Sequence, residues 1–320
     1  MPARPLTKGG VSGKVKCEQI VNEPGSAPGQ RIEDWGKPIM RPDGKKVKEA
    51  DPMSYLIPYF LTRRYDAMNM ITVDVPEEPM RRYMNQKRRE GRPVSHLALV
   101  LTAYLRALEE YPALNRFVGN KTIYEHKDIT VSMVVLRPNG EDAMSKIYLE
   151  KTDDVFSIQE KITSYISENR KVEEQNLLDK WMARIVHMKL LMGIFLALLR
   201  FMDRHGLLPM ALVKASPFHA SLLISNLASI RTNHIYHHIY DFGSTSMAIT
   251  MGNMHEVPRH SKDVIVFDRC LPLGIVMDER IATGHYFALA FNRFRQLLSK
   301  PEQLENPAPA EKKETAAAAN

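Results

Sequence analysis

Residues Leu271 to Leu304 read LPLGIVMDERIATGHYFALAFNRFRQLLSKPEQL. An apolar run ends in the charged triplet Asp278-Glu279-Arg280 and passes Thr283-Gly284. Beyond it Phe287, Phe291, Phe294 and Leu298 fall at i, i+4, i+7 and i+11. That spacing puts four large apolar side chains on one helix face. The stretch therefore predicts a strand, a turn and a helix that packs on a sheet, and the turn is where chemistry is placed.

Working outward, Ile129 to Leu136 (ITVSMVVL) and Ile71 to Val75 alternate as strands do, the former running into the turn Arg137-Pro138-Asn139-Gly140. Pro93 breaks the chain and Ser95 is a good cap for a helix in which Leu97, Val100, Leu101, Tyr104, Leu105 and Leu108 form one apolar stripe. Val155 to Arg170 predicts a second amphipathic helix. Trp181 to His205 predicts a long helix whose middle is apolar nearly all round, which points to burial among neighbours or in an oligomer interface. Lys189 and Arg200 flank that run as interfacial anchors would, and its methionines would suit an adaptable partner surface.

The 320 residues are 44% hydrophobic and 25% charged, the proportions of a globular chain. A net charge of +7 and a pI near 9.2 favour anionic partners. Cys17 and Cys270 have neither disulfide nor zinc spacing, so a reduced cytoplasmic protein is expected. Leu190 to Leu199 is the longest apolar run and falls short of the roughly 20 residues that cross a bilayer, so membrane association is not expected. Residues 1–50 read as an extended or partly disordered arm, 51–304 as the folded body with a helical insertion at 171–210, and 305–320 as a disordered tail. The basic run Arg81 to Arg92 reads as a solvated helix face or a patch for phosphate. It carries no interleaved aromatic ladder, so nucleic acid is not expected. There is no phosphate-binding loop, dinucleotide fingerprint, Gly-x-Ser-x-Gly elbow or His-Glu-x-x-His.

The opening stretch resembles the C-terminal signature of the chloramphenicol acetyltransferase-like family, and within it the catalytic domain of the 2-oxo acid dehydrogenase acyltransferases. That signature is Asp-His-Arg-x-x-Asp-Gly, and here Glu279 stands at the His and Thr283 at the second Asp. Ile224-Ser225-Asn226-Leu227 resembles the family's Ile-Ser-Asn-Leu-Gly strand end, and Pro112-Ala113-Leu114-Asn115 its Pro-x-Leu-Asn. Tyr55 to Met70 resembles its opening, with Arg63 and Arg64 in the places of an Arg-Lys pair on the first helix. Together these cover 55–170 and 218–304.

The resemblance implies an α/β fold, a chloramphenicol acetyltransferase-like two-layer sandwich with a mixed sheet backed by helices. It implies a homotrimer or higher trimer-based assembly with active-site channels between subunits. The substrate would be an acyl thioester, on coenzyme A or an acyl carrier. No lipoyl group is expected on this chain, because residues 1–50 are too short for a lipoyl module. Ser225 would donate to the oxyanion, with Asn226 beside it, and Glu279 would be an altered base. Arg63 would pair with Asp278 or Glu279, since Thr283 lacks the charge that braces the family's turn.

Thiol chemistry makes the exchange at 279 consequential. A neutral imidazole, reference pKa about 6.5, lies about two units from a thiol near 8.5. A glutamate carboxylate near 4.3 lies about four units away, or on the order of 5 to 6 kcal/mol uphill, unless burial raises it. His234, His237, His238 and His285 stand as surface residues, substitute bases or substrate contacts, with His238 and His285, together with Asn226 and Asp278, as the candidates for substrate binding. Their spacing includes no diagnostic carboxylate or cysteine partner, so no metal is expected. The rival reading is a catalytically inactive trimeric scaffold or acyl-chain-binding relative.

Overall fold

The computed structural model describes residues 41–48, 52–136, 140, 142–169, 188–261 and 264–306. Most of the expected arm, the tail beyond 306, the turn residues 137–139 and residues 170–187 of the expected insertion lie outside the described residues.

The long strand β10 (Val264–Asp278) organises the main sheet. Its C-terminal half lies antiparallel to β2 (Met68–Pro76) on one side and to β8 (Met247–Met251) on the other. The sheet continues through β7 (Leu222–Asn226) and β5 (Ile129–Leu136), both joined in parallel, to the antiparallel β6 (Asp142–Leu149). Its order is thus β2-β10-β8-β7-β5-β6, with β9 (His255–Ser261) paired to the N-terminal half of β10. A separate antiparallel sheet joins β1 (Gly44–Lys46), β4 (Thr122–His126) and β3 (Arg116–Gly119). Residues 44–46 thus contribute a strand to this second sheet.

Period-two alternation divides the faces of the main sheet. Leu271, Leu273, Ile275 and Met277 of β10, with Ile224, Ile249 and Met133, enter the large core. That core is closed by helices α2 (Glu77–Arg89), α3 (His96–Glu110), α4 (Val155–Asn169) and α7 (Gly284–Ser299). Helix α3 is capped by Ser95, whose Oγ accepts from Ala98 N at 3.2 Å, and is buried along its length from Leu97 to Leu108. In α7 the four residues of the apolar stripe are all buried, each contributing about 1.5–3 kcal/mol. The basic run becomes the outer face of α2, where Glu78 pairs with Arg81 and Arg82.

Two further helices stand apart. Helix α1 (Pro52–Phe60) ends before Arg63 and Arg64, so these arginines lie in the following loop and not on the first helix. Helix α5 (Lys189–Arg204) carries the apolar run, and its large side chains are exposed, Leu190 at 77%. Of the two settings its composition suggests, burial among the described elements of this chain does not occur. The short α6 (Met210–Ala215) follows. Among the described residues no helix is long and apolar enough to cross a membrane.

Candidate functional site

The strand registers bring six residues into one transverse row. Ser225 of β7 stands level with Thr250 of β8, Thr250 with Gly274 of β10, and Gly274 with Thr72 of β2. On the other side Met133 pairs with Ile224, which sets Val134 level with Ser225, and Met144 of β6 pairs with Val134. Met144, Val134, Ser225, Thr250, Gly274 and Thr72 therefore line up on the face away from the core helices.

The segment from Asn233 to Tyr240 lies across this row. Ile235 N donates to Thr250 Oγ1 at 3.1 Å, and the same hydroxyl donates back to Ile235 O. Thr72 Oγ1 bonds His234 Nε2 at 2.9 Å and Tyr236 OH at 2.7 Å. A Cβ on Gly274 would sit 2.5 Å from Ile235 O and 3.0 Å from His234 Cδ2, so the segment can rest on the sheet only above a glycine. The other imidazole nitrogen of His234, Nδ1, is buried without a hydrogen-bond partner among the described residues.

At the opposite end of the row a cavity of about 260 Å³ opens between the sheet and the returning chain. Val134, Met144 and Leu223 line it from the sheet; Phe218, Tyr240 and Phe242 line it from the loops, and His237 adds one polar edge. Sites that enclose a whole small ligand run from about 300 to 1,000 Å³, so this cavity suits one apolar group and not a complete cofactor. His237 Nδ1 lies 2.8 Å from the carbonyl oxygen of His238. A carbonyl only accepts, so Nδ1 carries the proton and Nε2 of the neutral ring is left with a free lone pair.

The signature turn is built differently. Asp278 is fully buried and accepts from Arg280 Nε at 2.8 Å, Nη2 at 2.7 Å and the Arg280 backbone N at 3.1 Å. Arg64 Nε stands 3.4 Å from the same carboxylate, an ion pair without hydrogen-bond geometry, and its other nitrogens donate to Tyr240 O and Gly243 O. Arg64 thus takes the pairing expected of Arg63. Arg63 is exposed, with its guanidinium over the Tyr65 ring and bonded to that ring's hydroxyl. The chain leaves α1 at Phe60, and the ensuing loop turns the second arginine inward and the first outward.

Glu279 is half-buried, and its carboxylate has no ion pair or hydrogen bond among the described residues. Thr283 caps α7, its Oγ1 accepting from Tyr286 N at 3.3 Å, and His285 is exposed in the first turn of that helix. Five residues along β10 and two strands across separate Glu279 from the level of Ser225, a gap of about 19 Å within one chain. Ser225 stands level with Val134 of the cavity wall, while Asn226 alternates to the core face; Asp278, Glu279, Thr283 and His285 follow one another along the turn and the start of α7. Asn226 Oδ1 is buried without a partner, while His238 is exposed and its ring lies 4.6 Å from that of Tyr240.

Sequence reasoning missed Thr250 as the neighbour of Ser225 and Thr72 and His234 farther along the same row, and it missed the aromatic cavity. A lone glycine inside an apolar strand, Gly274, was the available signal for a close backbone approach. It also missed the buried group that anchors the end of α5. There Asp203 accepts from Arg41 Nη2 at 2.8 Å, Gly243 N at 2.7 Å and His219 Nε2 at 3.1 Å. Burial alone would raise this carboxyl, but these partners outweigh it and hold the pKa down at about 2. Among the described residues no group of three His, Cys, Asp or Glu side chains gathers as metal ligands would.

No protein-family model and no curated protein sequence matches the chain. Solved structures do. A probable dihydrolipoamide acetyltransferase from Listeria monocytogenes superposes with a TM-score of 0.53 at 15% identity, covering 83% of this chain and 98% of that one. The chain has the acyltransferase-core fold. Azotobacter vinelandii dihydrolipoamide acetyltransferase, studied for a serine, a histidine and an asparagine in its catalytic mechanism, gives 0.53 at 14% identity over 88% and 99%. A truncated catalytic core of the 2-oxoacid dehydrogenase multienzyme complex from Thermoplasma acidophilum gives 0.50 at 14% over 80% and 99%. These likenesses bear out the α/β, chloramphenicol acetyltransferase-like architecture, with its mixed sheet backed by helices.

Proposed function

We propose that this chain handles an acyl thioester, with the acyl group seated beside Ser225. The observation that carries this reading is the apolar cavity whose wall residue Val134 stands level with Ser225 on the neighbouring strand and whose wall also holds His237. An apolar acyl group fits the cavity, and its carbonyl at the mouth would meet the Ser225 hydroxyl as oxyanion donor. Nε2 of His237 would take the proton of an acceptor thiol as its sulfur bonds to the acyl carbon and would return it to the thiolate that leaves when the original C–S bond breaks, since Nδ1 is engaged by the His238 carbonyl. The pantetheine arm of coenzyme A or of an acyl carrier would remain outside, because the cavity admits only the acyl end.

Glu279 offers the other candidate base. It would reach Ser225 only from a second copy, as in a trimer with active sites between subunits, because about 19 Å separates the two in one chain. The unpartnered carboxylate favours keeping this candidate. A third reading, an acyl-chain-binding scaffold without turnover, is favoured by Thr283 serving as a helix cap.

Incubation of a panel of acyl-CoAs with dihydrolipoamide or another small thiol as acceptor, with acylated acceptor formed and acyl-CoA bound measured separately, tests all three. The proposal expects turnover that falls at least a hundredfold in His237→Gln and survives in Glu279→Gln. The reverse pattern assigns the base to Glu279, and binding without turnover assigns the scaffold. No binding of any acyl-CoA overturns the reading.

A further inference from the structure

Helix α5 is exposed over most of its circumference, yet its residues are not randomly arranged. At 100° per residue, Leu190, Ile194, Leu198 and Phe201 form one exposed apolar stripe. Lys189, Arg200 and Arg204 form a cationic stripe along its flank. The helix has one acidic residue, Asp203, and that is buried against Arg41, His219 and Gly243. Sixteen residues span about 24 Å, too short for the roughly 30 Å of a bilayer core but enough to lie along its surface.

The C-terminal ends of α5 and α1 meet at a second cavity, of about 500 Å³, lined among others by Pro58, Arg63, Lys121, Arg200 and Arg204. Arg41, Arg64 and Arg280 line it too, as do the acids Asp203 and Asp241; Asp203 pairs with Arg41, and Asp278 is shared by Arg64 and Arg280. Arg63, Lys121, Arg200 and Arg204 form no ion pair among the described residues. Lys121 reaches this rim because the β3–β4 turn places Asn120 and Lys121 at positive φ, as a two-residue hairpin requires, and its Nζ lies 4.6 Å from the Tyr59 ring centre. Around it α1 exposes Tyr59 and Phe60, the latter 76% accessible.

We infer that α1, α5 and the basic cavity between them form a docking surface for an anionic phospholipid membrane. The apolar stripe of α5 and the aromatic end of α1 would enter the interfacial layer, and the unpaired cations would take lipid phosphates. A second copy of the chain is the weaker occupant, because its own α5 would bring a matching cationic stripe with no exposed acid to meet it. Lipid phosphate supplies the missing charge. The composition of the isolated sequence points away from a membrane partner; the exposure and the charge pattern of the folded helix point toward one.

The test is co-flotation of the full chain with vesicles of neutral phosphatidylcholine alone or mixed with anionic phosphatidylglycerol. Association with the anionic vesicles is expected, weakening as salt is raised. The charge reversal Arg200→Glu with Arg204→Glu is expected to lower partitioning at least tenfold. The exposed-face change Ile194→Asp with Leu198→Asp is expected to do the same while the melting temperature stays within a degree or two of wild type. The inference is overturned by absence of flotation with anionic vesicles, or by flotation that both double variants leave intact. It is also overturned if wild type ignores vesicles and sedimentation shows that Ile194→Asp with Leu198→Asp dissociates an oligomer.

Discussion

Replacing Asp278 by Asn removes the one carboxylate between two buried guanidiniums. Asp278 is inaccessible, and Arg64 and Arg280 are 2% and 6% exposed. Three hydrogen bonds of 2.7–3.1 Å run from Arg280 to this side chain, and Arg64 Nε adds a charge contact at 3.4 Å. With Asn the arginines keep the carbonyls of Tyr240, Gly243 and Leu61 and one amide oxygen at 278, but lose the negative charge, and the amide NH2 faces a guanidinium that can only donate. Stripping one partner from a buried ion pair costs about 3–5 kcal/mol. At about 2–4 °C per kcal/mol for a body of this size, the melting temperature should fall by on the order of 10 °C. Urea unfolding at fixed protomer concentration measures the loss directly. The adjacent Glu279→Gln, half-exposed and unpartnered, is the control and should stay within about 0.5 kcal/mol. An Asp278→Asn loss below 1 kcal/mol would refute the assignment of Asp278 as the brace of the turn.

Three further outcomes follow from other parts of the molecule. Burial pushes His126 down to about 3, so the folded state keeps this ring neutral while the unfolded chain protonates it below about 6.5. Its contribution is complete above that value and is lost as pH falls toward 3; at pH 5 the loss is about 2 kcal/mol, read as a lower urea midpoint that His126→Gln should make less pH-dependent. His96, also lowered by burial, acts in the same direction. Gly274→Ala should displace Ile235 and His234 from the sheet at a cost of about 1–3 kcal/mol, with far-UV circular dichroism unchanged and acyl-CoA binding lost. Leu223→Trp should fill the cavity beside Ser225, and competition among acyl-CoAs of rising chain length should then shift toward the shortest.

The strand, turn and helix at 271–304 were legible because both periodicities are local: alternate residues of β10 enter the core, and the apolar stripe of α7 recurs every three or four residues. Helices α3 and α4 and strands β2 and β5 were legible for the same reason. Strands β3, β4 and β9 are short or exposed on both faces and have no such period. The site fared less well, because its neighbours are set by non-local register. Nothing between residues 72 and 274 in the linear chain marks Thr72, Val134, Ser225, Thr250 and Gly274 as one row. The choice between Arg63 and Arg64 turned on where α1 ends, a boundary one turn from the residues concerned. Burial of α5 among the described elements of the chain, one of its two expected settings, does not occur, because an all-round apolar composition records only that a helix avoids water, not what covers it.

The rate of acyl transfer from the best acyl-CoA to the acceptor thiol, compared between wild type and Ser225→Ala, bears most directly on the acyl-transfer reading. Removal of a single oxyanion donor should slow turnover by about 10²–10³ with an unchanged melting temperature. A Ser225→Ala protein that acylates the acceptor at the wild-type rate would contradict the account.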